Sequence, residues 1–408
     1  MKKVWDKWTR IALVKRILVG LILGAVLGIA VPQATGIAIL GDVFVSALKA
    51  IAPLLVFFLV VSSLCNAGKS HGGVIKTVII LYMFSTVLAA VIAVFASMAF
   101  PVKMTLANAA TDTSAPQGIV EVLNNLLLNV VANPVSSLVN ANYVGILMWA
   151  VLLGLAFRVA DKMTKKVLAD VADGISMVVT WIINLAPFGI FGLVFNTVST
   201  NGLDIFTTYG KLLLLLVGCM LFIYFVTNPL LVYWCIRQNP YPLIFQCLKR
   251  SALTAFFTRS SAANIPVNMK VCEEMGLDRD TYSVTIPLGA TINMDGAAIT
   301  ITVMTMATAF TLGIHVDIPT AIILSLLAAL SACGASGVAG GSLLLIPMAC
   351  SLFGISDDIS MQVVAVGFII GVVQDSVETA LNSSSDLLLS ASAEFRQWRL
   401  EGKEIKFK

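Results

Sequence analysis

Charged residues are scarce in this sequence: Asp, Glu, Lys and Arg make up 12% of its 408 residues, whereas hydrophobic residues make up 58%. A soluble globular domain carries roughly a quarter charged residues, so the composition excludes that class and indicates an integral membrane protein. The net charge is only +4, and the basic residues lie near the ends and in a few loops rather than in one patch. We therefore exclude nucleic-acid binding.

Residues that bind transition metals or act as catalytic bases are also rare. The two histidines, His71 and His315, are far apart in the chain, and neither neighbours a candidate nucleophile. The seven cysteines are scattered without a CxxC pair, which argues against a disulfide framework or a zinc site. An intramembrane enzyme with Ser260 as nucleophile would lack a nearby base, since Arg259 cannot accept a proton at neutral pH. We expect the protein not to be an enzyme.

Long apolar runs are abundant. A spanning helix needs about 20 apolar residues, and the segments that qualify are 14–31, 42–64, 75–100, 143–160, 174–199 and 209–236. The basic start of the chain is like that of a signal peptide, but its apolar run is longer than a secretory signal needs, so we interpret it as the first spanning helix. Lys and Arg recur at alternate connections and at both ends. This pattern predicts cytoplasmic termini and an even number of crossings, eight.

Two stretches of the carboxyl-terminal half are too polar at their centres to cross as ordinary spans. Residues 252–269 hold an Arg, hydroxyls and a Pro between short apolar arms, and residues 320–352 have a glycine-rich centre. They predict two re-entrant helical hairpins, which are tolerated at membrane depth where their backbone is buried in protein or lines a wet cavity. Each is followed by a helix with polar groups, at 280–312 and 360–395. The repetition is typical of an inverted-repeat transporter.

The last of these helices carries a polar face. The residues spaced so that they share this face are Asp375, Glu378, Thr379, Asn382 and Asp386. Each ionised carboxylate at the bilayer centre costs roughly 2.5–3.5 kcal/mol, and only Arg259 is available against four acids once Asp295 is counted. A structural salt bridge is the simpler alternative, but the excess of acid predicts cations bound from outside. Oxygen ligands favour an alkali or alkaline-earth ion.

The stretch ATINMDG, residues 290–296, places a carboxylate inside an apolar segment. Its composition weakens a helix, so we expect an unwound break here. The oxygen ligands that the break would offer belong to Gly289, Thr291, Asn293 and Asp295. A protonated, hydrogen-bonded Asp295 is the alternative, and it would suit a proton-coupled carrier.

Two other features are expected to be structural. The stripe of Gly20, Gly24 and Gly28 in the first span is typical of close helix packing. Pro187 is expected to kink or end a helix.

Four segments, TRSSAANIP, PLGATINMDG, ACGASGVAGG and DSVETALNSSSD, resemble the signature elements of the dicarboxylate/amino acid:cation symporter family, which includes the glutamate transporters. The resemblance covers nearly the whole chain. It implies an all-α membrane fold of eight transmembrane helices and two re-entrant hairpins per protomer. It also implies a homotrimer in which a transport domain moves past a scaffold like an elevator.

The resemblance implies a division of the chain into these two parts. The scaffold would comprise helices 1 and 2 at 1–74 and helices 4 and 5 at 118–200. The transport domain would comprise helix 3 at 75–102 and the stretch 207–395, with hairpins at about 243–276 and 320–353. A cytoplasmic tail would follow at 396–408.

The resemblance further implies three sodium sites. The first resembles a site formed by Gly289, Asn293, Asn382 and Asp386. The second resembles backbone near Thr291 together with Ala332, Cys333 and Ala335, at positions where the family often has hydroxyls. The third resembles a site formed by Tyr82, Ser85, Thr86, Asn293 and Asp295.

For an amino acid substrate, the resemblance implies one set of residues for each end of the molecule. The α-carboxylate would contact Ser260, Ser261 and Asn382, at a half-helix end suited to an anion. The α-amine would contact Asp375 and Thr379. Arg259 would balance Asp375 or Glu378 when no substrate is bound. The glycine-rich tip of the second hairpin would serve as a lid.

The chain departs from the acidic-substrate members at the side-chain end of this pocket. Those members have an arginine in the last helix where this chain has Glu378, and a threonine after NMDG where this chain has Ala297. A second carboxylate on the substrate would therefore meet a like charge. We expect import of neutral hydroxylated amino acids, L-serine and L-threonine, with sodium across the cytoplasmic membrane, the hydroxyl donating to Glu378.

Two other functions remain open. An acidic or broad neutral amino acid symporter, coupled to sodium or protons, would show competition by aspartate or alanine. An ion channel would conduct without added amino acid and would show no saturable, stereospecific uptake.

The pocket argument predicts the effect of Glu378→Arg. The variant should take up serine more weakly, because the hydroxyl acceptor is gone, and its remaining uptake should become sensitive to competition by aspartate, because the like charge is replaced by an opposite one. Uptake of labelled serine with each amino acid as competitor measures both effects. An unchanged competition profile would contradict the assignment of Glu378 to the side-chain end.

Overall fold

The computed structural model describes residues 11, 13–66, 73–106, 128, 131–202, 205–333 and 340–405. Within these ranges the chain forms helices and no strands. The helices long and apolar enough to cross a membrane are Thr35–Asn66, Gly73–Ala99, Lys162–Asn184, Phe206–Ile236, Arg279–Thr311 and Asp357–Leu400. The protein is therefore a multi-pass, all-helical membrane protein, as the composition predicts.

The amino-terminal half consists mainly of long helices. In chain order these helices are α1 Leu13–Ala30, α2 Ile39–Asn66, α3 Gly73–Ala99, α4 Pro134–Val139, α5 Tyr143–Ala156, α6 Lys162–Asn184 and α7 Ala186–Asn201, with 3-10 turns at Thr35–Ala38 and Phe157–Val159. Helix α1 packs along α7, and α2 packs against α5, α6 and α7.

The carboxyl-terminal half is more interrupted. Its helices are α8 Ile205–Phe222, α9 Asn228–Ile236, α10 Tyr241–Cys247, α11 Leu253–Thr258, α12 Ser261–Glu274, α13 Arg279–Ile292, α14 Asp295–Thr311, α15 Ile318–Ala332, α16 Ile346–Ser351 and α17 Asp357–Leu400. Single π-helical turns at Ile223–Thr227 and Leu248–Ala252 connect α8 to α9 and α10 to α11. A 3-10 turn, Gly341–Leu345, leads into α16.

The predicted span over 174–199 is wrong as one continuous helix. Helix α6 ends at Asn184 and α7 begins at Ala186, with Pro187 in its first turn. Pro187 has no N–H to continue the hydrogen bonds of α6, and it is tolerated in the first turn of a new helix. Phe188 and Gly189 instead donate to the carbonyl of Leu185, at 3.0 and 3.1 Å. The other five predicted spans coincide with observed helices to within a few residues.

Glycines allow α1 to approach α7 closely, as the stripe in the sequence predicts. A Cβ added at Gly20 would lie 2.2 Å from the carbonyl oxygen of Pro187, and one at Gly24 would lie 2.6 Å from that of Phe191. These separations are shorter than van der Waals contact, so the two backbones touch where only glycine fits. The close packing of these two helices is confirmed.

The two predicted hairpin regions differ in how much of them is described. In the first, α11 and α12 pack together and are joined by Arg259, in the left-handed region at φ 53°, and Ser260, in extended conformation. In the second, α15 ends at Ala332, and the structure does not describe residues 334–339. The glycine-rich tip, including Ala335 of the second predicted sodium site, lies outside the described residues.

Helix α17 is the centre of the carboxyl-terminal half. It packs against helices on several sides, among them α3, α9, α11, α12, α13 and α14. In an apolar stretch of 18 residues within α17, 83% of the residues are buried. On a helix enclosed in this way, every face carries apolar side chains or polar groups whose hydrogen bonds are satisfied. The predicted polar face of α17 is therefore buried among protein neighbours rather than directed to lipid.

Substitution of the glycine stripe tests the packing of α1 on α7. Gly24→Val should lower the free energy of unfolding by about 1–3 kcal/mol, because overpacking displaces the neighbouring backbone. Gly174→Val is the matched control, since Gly174 is also helical and a Cβ there would meet no atom within 4 Å. Thermal unfolding in detergent measures both, and equal losses of stability would contradict the packing argument.

Candidate functional site

The break predicted in ATINMDG is confirmed. Helix α13 ends at Ile292 and α14 begins at Asp295, with Asn293 and Met294 in non-helical conformation. The backbone N–H of Met294 donates to the hydroxyl of Thr86 on α3, at 3.2 Å. A side chain from another helix thus satisfies a backbone group that the break releases, which is the condition for unwound backbone at membrane depth.

Asp295 is fully buried at the first position of α14. Its carboxylate accepts hydrogen bonds from Ser85 at 2.8 Å and Thr86 at 3.2 Å. The helix amino terminus adds a favourable field for negative charge. Neutral donors thus surround this acid, and none of the ion pairs found in the described part of the chain includes it.

A second buried acid, Asp386 on α17, lies beside the same break. The amide of Asn293 donates to its carboxylate at 2.9 Å, and the hydroxyl of Tyr82 donates to its backbone carbonyl at 2.8 Å. Asn382, one turn earlier, accepts from the N–H of Gly296 at 2.7 Å. Side chains from α3, α17 and the α13–α14 break therefore meet at one point.

One oxygen at this point has no hydrogen-bond partner. The amide oxygen of Asn293 is fully buried and accepts no donor. A buried acceptor left unsatisfied costs about 1–3 kcal/mol. Together with the carboxylates of Asp295 and Asp386 it forms a cluster of hard oxygens, the ligand type that suits an alkali or alkaline-earth cation.

Gly289 permits the close approach of α13 to this cluster. A Cβ added at Gly289 would lie 2.8 Å from the carboxylate carbon of Asp386 and 2.9 Å from the hydroxyl of Tyr82. Both atoms are held in place by buried partners. Any larger residue would therefore displace the Asp386 carboxylate.

The residues of the second predicted sodium site are only partly described. The hydroxyl of Thr291 donates to the carbonyl of Leu288, at 2.7 Å. The thiol of Cys333 lies 3.8 Å from the carbonyl oxygen of Ile292. The arm of the second hairpin region therefore reaches the backbone of the break.

Arg259 pairs with Asp375 rather than with Glu378. Its Nε lies 2.6 Å from a carboxylate oxygen of Asp375, and the two side chains are 11% and 5% exposed. The other carboxylate oxygen accepts from the N–H of Gly340, at 3.2 Å. The predicted contact between this arginine and an acid of the last helix is confirmed, and it joins the first hairpin tip to α17.

Glu378 is buried in a separate set of neutral donors. One of its oxygens accepts from Thr300 at 2.7 Å, Ser342 at 2.9 Å and Gln374 at 2.5 Å. Sequence reasoning missed these three donors. Gln374 could have been found, because it precedes Glu378 by one helical turn, whereas Thr300 and Ser342 come from distant segments without a local signal.

The remaining predicted substrate residues make local hydrogen bonds. Thr379 donates to the carbonyl of Asp375 at 2.8 Å, and the hydroxyl of Ser260 caps α12 by accepting from the N–H of Ala263 at 3.2 Å. Ser261, at the first position of α12, is buried. The N–H groups at this helix end are suited to an anion.

A buried polar cluster that the sequence reasoning missed fixes the first hairpin to α17. The amide of Asn264 donates to the hydroxyls of Ser383 at 2.8 Å and Ser251 at 3.0 Å, and the amide of Asn268 donates to the carbonyl of Ser383 at 2.8 Å. These contacts hold α12, and with it Ser260 and Ser261, at a set position relative to the polar face of α17.

The space next to the Arg259–Asp375 pair is small. A cavity of about 10 Å³ is bounded by Arg259, Gly340, Phe368 and Asp375, which is room for about one water molecule. An amino acid could bind at Asp375 only if Arg259 moved away from it. The arginine therefore occupies the position predicted for an α-amine.

Comparisons with known proteins agree with these features. Residues 13–394 match the model of the sodium:dicarboxylate symporter family. A serine/threonine transporter SstT of Bifidobacterium adolescentis is 57% identical over 406 residues, covering 99% of this chain and 94% of that protein. A serine/threonine transporter SstT of Streptococcus thermophilus is 55% identical over 400 residues, covering 98% of this chain and 100% of that protein.

The close approach at Gly289 predicts that Gly289→Ala weakens cation binding. The added methyl group displaces the Asp386 carboxylate, and a displaced or poorly supported ligand typically loses 10–100-fold in metal affinity, so we expect a loss of at least about tenfold. The rise of the thermal unfolding midpoint with sodium concentration reports this affinity. Gly210→Ala, in open surroundings on α8, is the control. An equal rise of the unfolding midpoint with sodium in the two variants would overturn the assignment.

Proposed function

Because the chain belongs to the sodium:dicarboxylate symporter family, we propose that it is a sodium-coupled symporter that imports L-serine and L-threonine across the cytoplasmic membrane. The relatives named as serine/threonine transporters are similar over nearly the whole of this chain, which supports the choice of substrates. The observation that carries the coupling is the surplus of buried acid at the centre of the carboxyl-terminal half.

The proposed architecture is eight transmembrane helices with two re-entrant hairpins, arranged as inverted repeats. The break between α11 and α12 and the separate short helices α15 and α16 support the hairpins. In this proposal α3 and residues 207–395 form a transport domain that moves past the remaining helices like an elevator, both termini are cytoplasmic, and three copies assemble. The packing of α3 on α14 and α17 supports its place in the moving part.

Charge balance supports sodium as the coupling ion. Asp295, Asp375, Glu378 and Asp386 are all at least nine-tenths buried, and Arg259 is the cation that the described residues pair with one of them. Each uncompensated charge at this depth costs roughly 2.5–3.5 kcal/mol. A sodium ion beside Asp386 and another beside Asp295 would, together with Arg259, balance three of the four acids, and the fourth, Glu378, is held by neutral donors.

The described geometry suits two of the three proposed sodium sites well. The first uses Gly289, Asn293, Asn382 and Asp386, and the third uses Tyr82, Ser85, Thr86, Asn293 and Asp295. Asn293 belongs to both, and its unpartnered oxygen supports ligation there. The second site, at Thr291 with Ala332 and Cys333, is supported by the contact of Cys333 with the carbonyl of Ile292.

The Arg259–Asp375 pair supports a simple exchange at the substrate site. The α-ammonium of the amino acid would replace the guanidinium beside Asp375, with Thr379 as its neighbour. The α-carboxylate would bind Asn382 and the N–H groups at Ser260 and Ser261. Beside Asp375 one positive charge would replace another, while the α-carboxylate of the zwitterion would bring a negative charge to the N–H groups at Ser260 and Ser261.

Glu378 supports selectivity for neutral amino acids. Its carboxylate is held by Thr300, Ser342 and Gln374, so it is fixed in place when a substrate side chain approaches. A substrate carboxylate would meet this negative charge, whereas a hydroxyl could donate to it. Ser342 lies just after the glycine-rich segment, so movement of the proposed lid and the position of Glu378 are mechanically linked.

A symporter of broader substrate range coupled to protons is the second candidate. The neutral donors around Asp295 and Glu378 favour it, because a protonated carboxyl would also be stable in such surroundings. Sodium is preferred because the family to which the chain belongs is one of sodium symporters, and because a sodium ion could bind the unpartnered oxygen of Asn293.

Uptake into proteoliposomes tests the proposal. Labelled serine and threonine should accumulate when a sodium gradient is imposed and should not accumulate in its absence. Asp386→Asn should reduce the sodium-driven uptake at least tenfold, because it removes a ligand charge. Asp358→Asn, an exposed position at the start of the same helix, should transport normally.

The outcomes separate the parts of the proposal. Serine accumulation driven by a proton gradient alone would reject sodium and favour the second candidate. Sodium-driven accumulation of aspartate in preference to serine would reject the substrate assignment while leaving the coupling intact.

A further inference from the structure

One apolar groove lies away from the proposed transport site. It has a volume of about 810 Å³, within the range of roughly 300–1,000 Å³ typical of small-molecule sites. We call it the α3–α8 groove, because its walls come from the end of α3, the turn that follows, and α8. Residues that define it are Phe95, Phe100, Lys211, Leu214, Gly218 and Phe222.

The walls of the α3–α8 groove are apolar and open to the outside of the protein. Phe100, directly after α3, and Leu214, on α8, are 69% and 73% exposed, and both helices have membrane-spanning length and composition. A bilayer therefore borders this surface. Apolar cavities do not hold water stably, whereas a hydrocarbon chain can fill the groove without leaving any polar group unsatisfied.

The groove has a basic end. Lys211, in the second turn of α8, is the one charged side chain among the described residues that line it. Lys103 follows the lining residues Pro101 and Val102 in the chain and is also exposed. Lysines in such positions extend along apolar surface and hold their ammonium groups at the membrane interface, where they attract anionic lipid headgroups.

We propose that the α3–α8 groove binds an anionic glycerophospholipid, with an acyl chain along the apolar walls and the phosphate beside Lys211. The positive charge of Lys211 favours an anionic headgroup, and the apolar groove accommodates an acyl chain. Because α3 and α8 belong to the proposed transport domain, the bound lipid would move with that domain and would stay outside the substrate pathway.

Gly218 gives a direct way to fill the groove. A Cβ added at Gly218 would meet no atom within 4 Å, so a leucine there would occupy groove space without a clash. Gly210, on the same helix, is equally open but does not line the groove. The two Gly→Leu changes alter helix propensity alike, so they differ only in whether the groove is blocked.

A lipid titration tests the proposal. The purified full-length protein in detergent is titrated with phosphatidylglycerol or with phosphatidylcholine of the same acyl chains, and native mass spectrometry counts the bound lipid. The wild-type protein and the Gly210→Leu variant should each bind phosphatidylglycerol more tightly than phosphatidylcholine. Lys211→Ala should weaken phosphatidylglycerol binding about fivefold, the effect of one basic residue near an anionic surface. Gly218→Leu should weaken binding of both lipids.

Two results would overturn the proposal. Equal affinity of the wild-type protein for the two lipids would reject the selection of an anionic headgroup. Lipid binding by Gly218→Leu equal to that of Gly210→Leu would show that the bound lipid lies elsewhere. Lys211→Ala leaves the apolar walls intact, so it remains informative should a leucine at 218 impair folding.

Discussion

Buried negative charge is the constraint on which the carboxyl-terminal half of this protein depends. Asp295, Asp375, Glu378 and Asp386 lie within a helical core enclosed by a bilayer, where an unpaired ionised group is strongly disfavoured. The chain meets this constraint in three ways: a guanidinium at Asp375, neutral donors at Glu378, and an oxygen cluster open to cations at Asp295 and Asp386. In the proposed mechanism the substrate ammonium would replace the guanidinium at Asp375, and sodium ions would bind at Asp295 and Asp386.

The local backbone makes this arrangement possible. The interruption at Asn293 and Met294 brings an amide side chain and freed backbone to Asp386, and Gly289 lets α13 approach within contact distance of that acid. Asn293 donates to Asp386 and lies two residues before Asp295 in the chain, so in the proposed mechanism a cation bound at one acid would alter the ligands available at the other. Shared ligands give a direct route for coupling between sites, without any need for a long pathway through the protein.

Much of this could be predicted from the sequence, where the signal is local. The interruption of ATINMDG follows from its composition and the polar face of α17 from its spacing, whereas the family resemblance left the partner of Arg259 open between Asp375 and Glu378. The donors to Glu378 could not be predicted in full, because Thr300 and Ser342 come from separate segments and an isolated hydroxyl is ordinary in an apolar helix. The division of 174–199 into two helices was missed because a proline is compatible both with a kinked span and with a new helix start.

The central claim is that cations complete the site at which the amino acid binds. Calorimetric measurement of L-serine binding to the purified protein in sodium chloride and in choline chloride tests it most directly. The account predicts that replacing sodium by choline weakens serine binding by about 5–150-fold, the usual range of coupling between two sites. Equal serine affinity in the two salts would contradict it.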